Sequence, residues 1–216
     1  MFRRLVTTSA VVIGAALVAT GCSPVKVGSA AVVGNQRITI ATLDTEATNL
    51  SRTAELYPGT VQLSQVQETQ QTLTWLIRFQ VNDELARQAG ITVSTAQAQK
   101  ALATILAQAK SAAQAQGIPN VTVDLILVAN GIPPNLRDEV GRYQAIDDQF
   151  LQQANGSQAQ LTKARCVAAK SLNIKVNPQF GQLNYNQIAI VTVPSSVSRP
   201  AGPAKATPQA GLSPNC

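Results

Sequence analysis

Histidine is absent from all 216 residues. No Ser-His-Asp triad, Cys-His dyad, HExxH zinc site or imidazole-based proton transfer is therefore open to this chain. Acidic residues are also few: eleven Asp and Glu against seventeen Lys and Arg, for a formal charge of +6. The acids that adjoin one another are Asp83-Glu84, Asp138-Glu139 and Asp147-Asp148. Neighbours on a helix point about 100° apart rather than converging, so these pairs read as solvated faces. The residues give no support to an enzyme, a cofactor or a bound metal. Lys and Arg are scattered without a cluster, which argues against nucleic acid and leaves an anionic membrane or wall as the partner for the charge. Aromatics make up only 4% of the chain, with a single tryptophan.

What is present begins with a leader. Arg3 and Arg4 precede an apolar, small-residue run from Leu5 to Thr20, too short to span a bilayer comfortably and flanked as a secretory signal peptide is. The run closes on Ala19-Thr20-Gly21-Cys22, which looks like a bacterial lipobox with Ala19 where Leu is usual. The expectation is cleavage before Cys22, diacylglycerol on its thiol and a stable anchor at the extracytoplasmic face of the cell membrane. The alternatives are an ordinary signal peptide, or a cysteine that merely lies nearby. Without Arg3 and Arg4 the charge falls to +4. Residues 1–21 then form the signal peptide, and 22–28 a tether reaching at most roughly 20 Å beyond the anchor. Residues 29–193 make one domain, and 194–216 a Pro/Ala-rich tail too poor in apolar residues to order itself. Cys166 and Cys216, in an oxidising compartment, either pair or remain a buried and a dangling thiol.

Within the domain, Ala30 to Val33 and Arg37 to Ile40 are β-branched runs separated by the turn signal Gly34-Asn35. Asn173 to Asn177 and Ile188 to Val193 are the other strand candidates, and pairing the chain's beginning with its end is the economical arrangement. Helices are expected at Ala41 to Arg52, Ser64 to Ala89 with Gly90 as its stop, and Thr95 to Gln116 behind the capping box Ser94–Gln97. Further helices are expected at Val123 to Ala129, Asn135 to Ala154, and from the box Ser157–Gln160 to Leu172. The fold class is mainly α, with five or six helices and a small β clasp made by the N-terminal hairpin and a late strand.

Four segments carry a resemblance. AAVVGNQRITIATLDTEA (Ala30–Ala47) looks like the hairpin and first helix that open the N-terminal domain of SurA-type chaperones and their PrsA and PpiD relatives. LARQAGITVSTAQAQKAL (Leu85–Leu102), NGIPPNLRDEVGRYQAIDDQFL (Asn130–Leu151) and IKVNPQFGQLN (Ile174–Asn184) are similar to later pieces of that domain, in the same order. The resemblance implies a chaperone-like module. It departs from the family in two ways: the chain has no room for the parvulin isomerase domain that relatives often carry, and Gln179 stands where a basic residue is usual. It therefore implies no isomerase activity.

The Ser64 to Ala89 helix holds the sharpest functional hint. Val66, Thr69, Leu73, Leu76, Ile77 and Val81 form one broad stripe, while Trp75 and Phe79 lie nearly opposite. A second apolar side is either covered by another element or lines a groove for extended or amphipathic polypeptide. Tyr143 and Phe150, seven apart on the Asn135 helix, are a second candidate wall. Leu102, Ile105, Leu106, Ala109 and Ala113 share one face of the Ala-rich helix and read as core. The expected partners are unfolded or newly secreted polypeptides, held through apolar contacts at the membrane surface. The rival is an accessory or scaffold lipoprotein docking one cell-envelope protein. A small-molecule binder is disfavoured by the lack of convergent polar clusters.

Overall fold

The computed structural model describes residues 27–58, 63–115, 117 and 120–192. The leader, Cys22 with most of its tether, and the Pro-rich tail with Cys216 lie outside the described residues. Strand β1 (Ser29–Val33) turns through Gly34-Asn35 into β2 (Gln36–Thr39). Gly34 has φ 58°, the left-handed conformation that glycine supplies at the first position of a tight hairpin turn. Its N–H donates to the Leu172 carbonyl at 2.7 Å, tying the turn to a segment late in the chain.

The helices follow: α1 (Ile40–Ala54), α2 (Gln65–Ala89), α3 (Thr95–Ala115), α4 (Val123–Ala129), α5 (Arg137–Gln153) and α6 (Gln158–Ser171). Their ends obey the capping signals. Thr39 Oγ1 accepts from Thr42 N at 3.0 Å. Ser64 and Gln67 close a reciprocal capping box, as do Ser94 and Gln97. Gly90, with φ 65°, ends α2 in the left-handed region. The satisfied donors are those an isolated helix leaves orphaned in its first turn.

Strand β3 (Lys175–Val176) pairs antiparallel with β1, placing Ala31 opposite Val176 and Val32 opposite Lys175. The sheet order is β2-β1-β3, so the first strand lies between its hairpin partner and the late strand. Asn177 locks the junction, its backbone N–H reaching Ala30 O at 2.9 Å and its side-chain amide reaching Ser29 O at 3.2 Å. The mainly helical fold with a small clasp thus holds.

The other late candidate, starting at Ile188, forms a strand outside the clasp: β5 (Ala189–Val191) pairs with β4 (Gln182–Asn184) in a separate two-stranded sheet. Val193 lies outside the described residues, and Ile188 itself has φ 45°. A β-branched residue in that region is a backbone outlier, and the strand begins only after it, at Ala189.

The main core joins Ala31, Val33 and Ile38 of the clasp to Leu43 of α1, Leu73, Ile77, Val81 and Leu85 of α2, and Ile146 of α5. Leu161 and Ala168 of α6 and Leu183 and Ile190 of the second sheet complete it. Helices α3 and α5 approach so closely that a Cβ at Gly141 would lie 2.5 Å from the Ala98 carbonyl oxygen. That oxygen is backbone and has no rotamer through which to withdraw. Alanine in a helix interior normally gains about 1 kcal/mol over glycine, whereas overpacking costs about 1–3 kcal/mol. Gly141→Ala is therefore expected to lower stability by up to about 2 kcal/mol in urea denaturation; a rise in the midpoint would show that α3 is free to move away.

Candidate binding surface on the central helix

Helix α2 presents three kinds of side chain in three directions. Leu73, Ile77, Val81 and Leu85 fill the main core. Val66, expected on the same stripe, is 62% exposed and takes no part in it. It lies in the first turn, which projects past the elements that cover the remainder.

Trp75, Leu76 and Phe79 pack on a second cluster formed by Leu127 of α4, Ile132 and Leu136 of the following loop, and Val140 of α5. Trp75 and Phe79 are half-buried, with ring centroids 5.8 Å apart. Tyr143 meets both edge-on, at 5.8 Å from Trp75 and 6.1 Å from Phe79, arrangements that the ring quadrupoles favour. The indole N–H donates to Asn130 O at 3.1 Å. The structure thus brings together three of the four sequence-chosen aromatics. Phe150 is not among them: two turns further along α5 than Tyr143, it packs on the main core instead.

The cover over this second side is incomplete. An apolar pocket of about 330 Å³ opens between α2, α3, α4 and α5, lined by Trp75, Leu102, Ile105, Leu106, Ile126 and Tyr143 among others. The α3 face read as core is core only in part: Leu102 and Ile105 pack against the second cluster and also line the pocket. Of that helix only Ala101 is fully buried, while Leu102, Ile105 and Leu106 are half-buried at the pocket wall.

The third direction is a polar row at every fourth position, Gln70, Thr74, Arg78 and Asn82, which an α-helix stacks on one face. Gln70 Nε2 donates to Phe180 O at 3.0 Å. Thr74 Oγ1 accepts from Ile190 N at 2.9 Å. Arg78 donates through Nε to Ile188 O at 3.0 Å and through Nη2 to Gln187 O at 3.1 Å. Asn82 donates to the Tyr143 carbonyl at 2.9 Å. The first three hold the β4–β5 segment against α2, and the fourth holds α5. Sequence reasoning missed this row; the signal was an arginine and an asparagine set among Ile77, Phe79 and Val81, where an unpartnered polar group would be costly.

At its far end the row meets a buried ion pair. Arg165 of α6 donates to Asp147 Oδ2 and to Asn82 Oδ1, and its guanidinium lies 4.6 Å from the Tyr143 ring centroid. Asp147 is only 6% exposed, which overturns the expectation that Asp147-Asp148 is a solvated pair. Only Asp148 is exposed. The difference arises because the α5 helix turns adjacent positions apart, sending one inward to meet Arg165. Of the other acidic pairs, Asp83 forms an exposed bridge to Arg142 at 2.8 Å. Glu84 accepts from Arg87, Gln88 and Ser171. The hydrogen bond from Arg87 is the chief reason its carboxyl is lowered to about 2, against the opposing effect of burial.

Burial raises the Tyr143 hydroxyl above its usual 10.0, against the lowering pull of Arg165. Burial likewise lowers the pKa of Arg78, and the nearby Arg165 cation adds to that. Asp147 is raised above 3.8, because desolvation outweighs the attraction of Arg165 and the hydrogen bonds from Arg165 and Asn82. A folded-state pKa above the unfolded one means that the stability this group contributes is complete below pH 3.8 and is lost as pH rises through the folded value. Glu84 has the opposite sign: its contribution is present above pH 4.5 and is lost as pH falls toward about 2. Carboxyl NMR titration should therefore place the Asp147 midpoint above 3.8, and Glu84→Gln should shrink the loss of stability between pH 4.5 and pH 2. An Asp147 midpoint below 3.8 would mean that the ion pair, not burial, dominates.

Cys166 is buried and disulfide-bonded; Cys216, its expected partner, lies outside the described residues, as does Cys22. Among the described residues no group of His, Cys, Asp and Glu is placed to hold a metal ion, and no helix is long and apolar enough to cross a membrane. Comparison with known proteins returns no matching family model, no similar curated protein and no similar solved structure.

Proposed function

We propose that the protein is a lipid-anchored, extracytoplasmic chaperone-like module that holds unfolded or newly secreted polypeptides through apolar contacts, without isomerase activity. The single observation that carries this reading is the apolar pocket beside Trp75. It is a concave site of about 330 Å³, walled by Leu102, Ile105 and Leu106 and floored by the Trp75 and Tyr143 rings. Its volume accommodates a large apolar side chain or two, and its wall is supplied by helices rather than loops. The resemblance of four collinear segments to SurA-type N-terminal domains supports the same reading. The signal segment ending at Cys22 supports the membrane location.

A suitable test leaves the second cluster intact. Leu106 lines the pocket but does not belong to that cluster, so Leu106→Glu places a charge at the wall without opening the core. The wild-type chain is expected to suppress aggregation of a chemically denatured client at near-stoichiometric ratio, and Leu106→Glu to lose most of that suppression while keeping its far-UV circular dichroism. Trp75→Ala/Phe79→Ala should lose it as well, with a stability cost below the roughly 3–5 kcal/mol of a fully buried aromatic, since both rings are half-buried. Absence of suppression by the wild type would overturn the proposal, and retention of one folded envelope protein alone in pull-down would favour the scaffold reading. Cys22→Ser is expected to move the product from the membrane to the soluble fraction and to leave suppression in solution unchanged. A variant that stays with the membrane would remove the lipid anchor from the account.

A further inference from the structure

Next to the apolar pocket lies a second cavity of about 280 Å³, lined by Arg78, Tyr143, Thr162, Arg165, Gln187 and Ile188, with Val81 and Asn186 completing it. It contains two guanidinium groups and no carboxylate in its lining. Arg165 is neutralised by Asp147, but Arg78 has only carbonyl partners among the described residues. Each arginine spends Nε and Nη2 on the fold and leaves Nη1 without an acceptor among the described residues. The cavity therefore carries one uncompensated positive charge and two unused guanidinium nitrogens in a partly desolvated setting, where a charge-assisted hydrogen bond is strong.

The two cavities share a wall. Tyr143 lines both, and the Arg78 guanidinium lies 5.0 Å from the centroid of Trp75, which floors the apolar one. A third, polar cleft of about 440 Å³ shares Trp75 and Asn130 with the apolar pocket and Arg78 with the second cavity, and adds the amides of Gln67, Gln70 and Gln71. Primary amides both donate and accept, as a peptide backbone requires. Along α2 the amides come first, then Trp75 at the apolar pocket, then the unneutralised cation of Arg78 one turn on.

We propose that this second cavity is a carboxylate subsite, and that the protein prefers polypeptide segments in which an apolar residue is followed within a few positions by a carboxylate. The carboxylate comes from an Asp or Glu side chain or from a free chain terminus. This rests on the polypeptide-binding reading above and narrows its client class. The Arg78 cation, held by two backbone carbonyls and a tryptophan face, is oriented before the ligand arrives, so little entropy is lost on binding.

The test varies the ligand before the protein, because Arg78 and Arg165 also hold the fold. Three fluorescein-labelled nonapeptides carry the same pair of leucines: one with a glutamate three residues on and both ends blocked, one with glutamine there, and one glutamine peptide ending at that spacing in a free carboxylate. They are titrated by anisotropy against the purified full-length chain at low salt. The glutamate or the free-acid peptide is expected to bind roughly tenfold more tightly than the blocked glutamine peptide, the factor that one charge-assisted hydrogen bond supplies. Whichever of the two gains identifies the source of the carboxylate. The advantage should vanish in 1 M NaCl and in Thr162→Glu, which adds a competing carboxylate from an exposed position of α6 without touching either arginine's partners. Equal binding of all three peptides would overturn the subsite and leave the apolar reading standing. An advantage that survives Thr162→Glu would also overturn it, and binding of no peptide would remove both.

Discussion

Everything in this structure depends on α2 being covered on three sides at once. A helix of 25 residues, roughly 37 Å long, normally faces water along at least half its surface. Here one side is the main core, one is the aromatic cluster and one is the polar row that grips the β4–β5 segment. Burying a large aliphatic side chain contributes about 1.5–3 kcal/mol, so Leu73, Ile77, Val81 and Leu85 hold the helix in place. The polar row adds less energy but fixes geometry, because each of its amides and guanidinium groups has a specific carbonyl or amide to meet. Removing one partner would leave a partly buried group unsatisfied, which costs more than the bond itself contributes.

The same arrangement explains why the second apolar side stays partly open. The cover over Trp75 is made by α3, α4 and the start of α5, and α3 is rich in alanine. Small residues let α3 lie close to α5 at Gly141 and Ala98; beyond that crossing Leu102, Ile105 and Leu106 line the pocket of about 330 Å³ beside Trp75 without filling it. The cation of Arg78 sits where the polar row and the aromatic side meet, so apolar and charged recognition elements lie side by side on one rigid helix.

Much of the fold was legible in the chain. Helix ends were readable because caps act locally: Ser64, Ser94, Ser157 and Gly90 satisfy or terminate backbone groups within one turn of themselves. The hairpin was readable from Gly34-Asn35 for the same reason, and its union with the Lys175–Val176 strand from the scarcity of other strand candidates. The aromatic grouping was legible in part, since Trp75 and Phe79 are one turn apart, but Phe150 went to the other core. Asp147 was misjudged because sequence adjacency to Asp148 says nothing of which of the two faces a neighbouring helix.

By itself, then, the sequence determined what is settled within a turn or two of the backbone: the helices, their caps, the hairpin, the absence of imidazole chemistry, and two-sided apolarity on α2. Only the tertiary structure decided which elements cover which side. It placed Arg165 over Tyr143, turned Asp147 inward, laid the Ala189–Val191 strand against Thr74 of α2, and left the space beside Trp75 unfilled. Those outcomes depend on pairings across 18 to 116 residues. Their free energies come from complementary surfaces that no local pattern records.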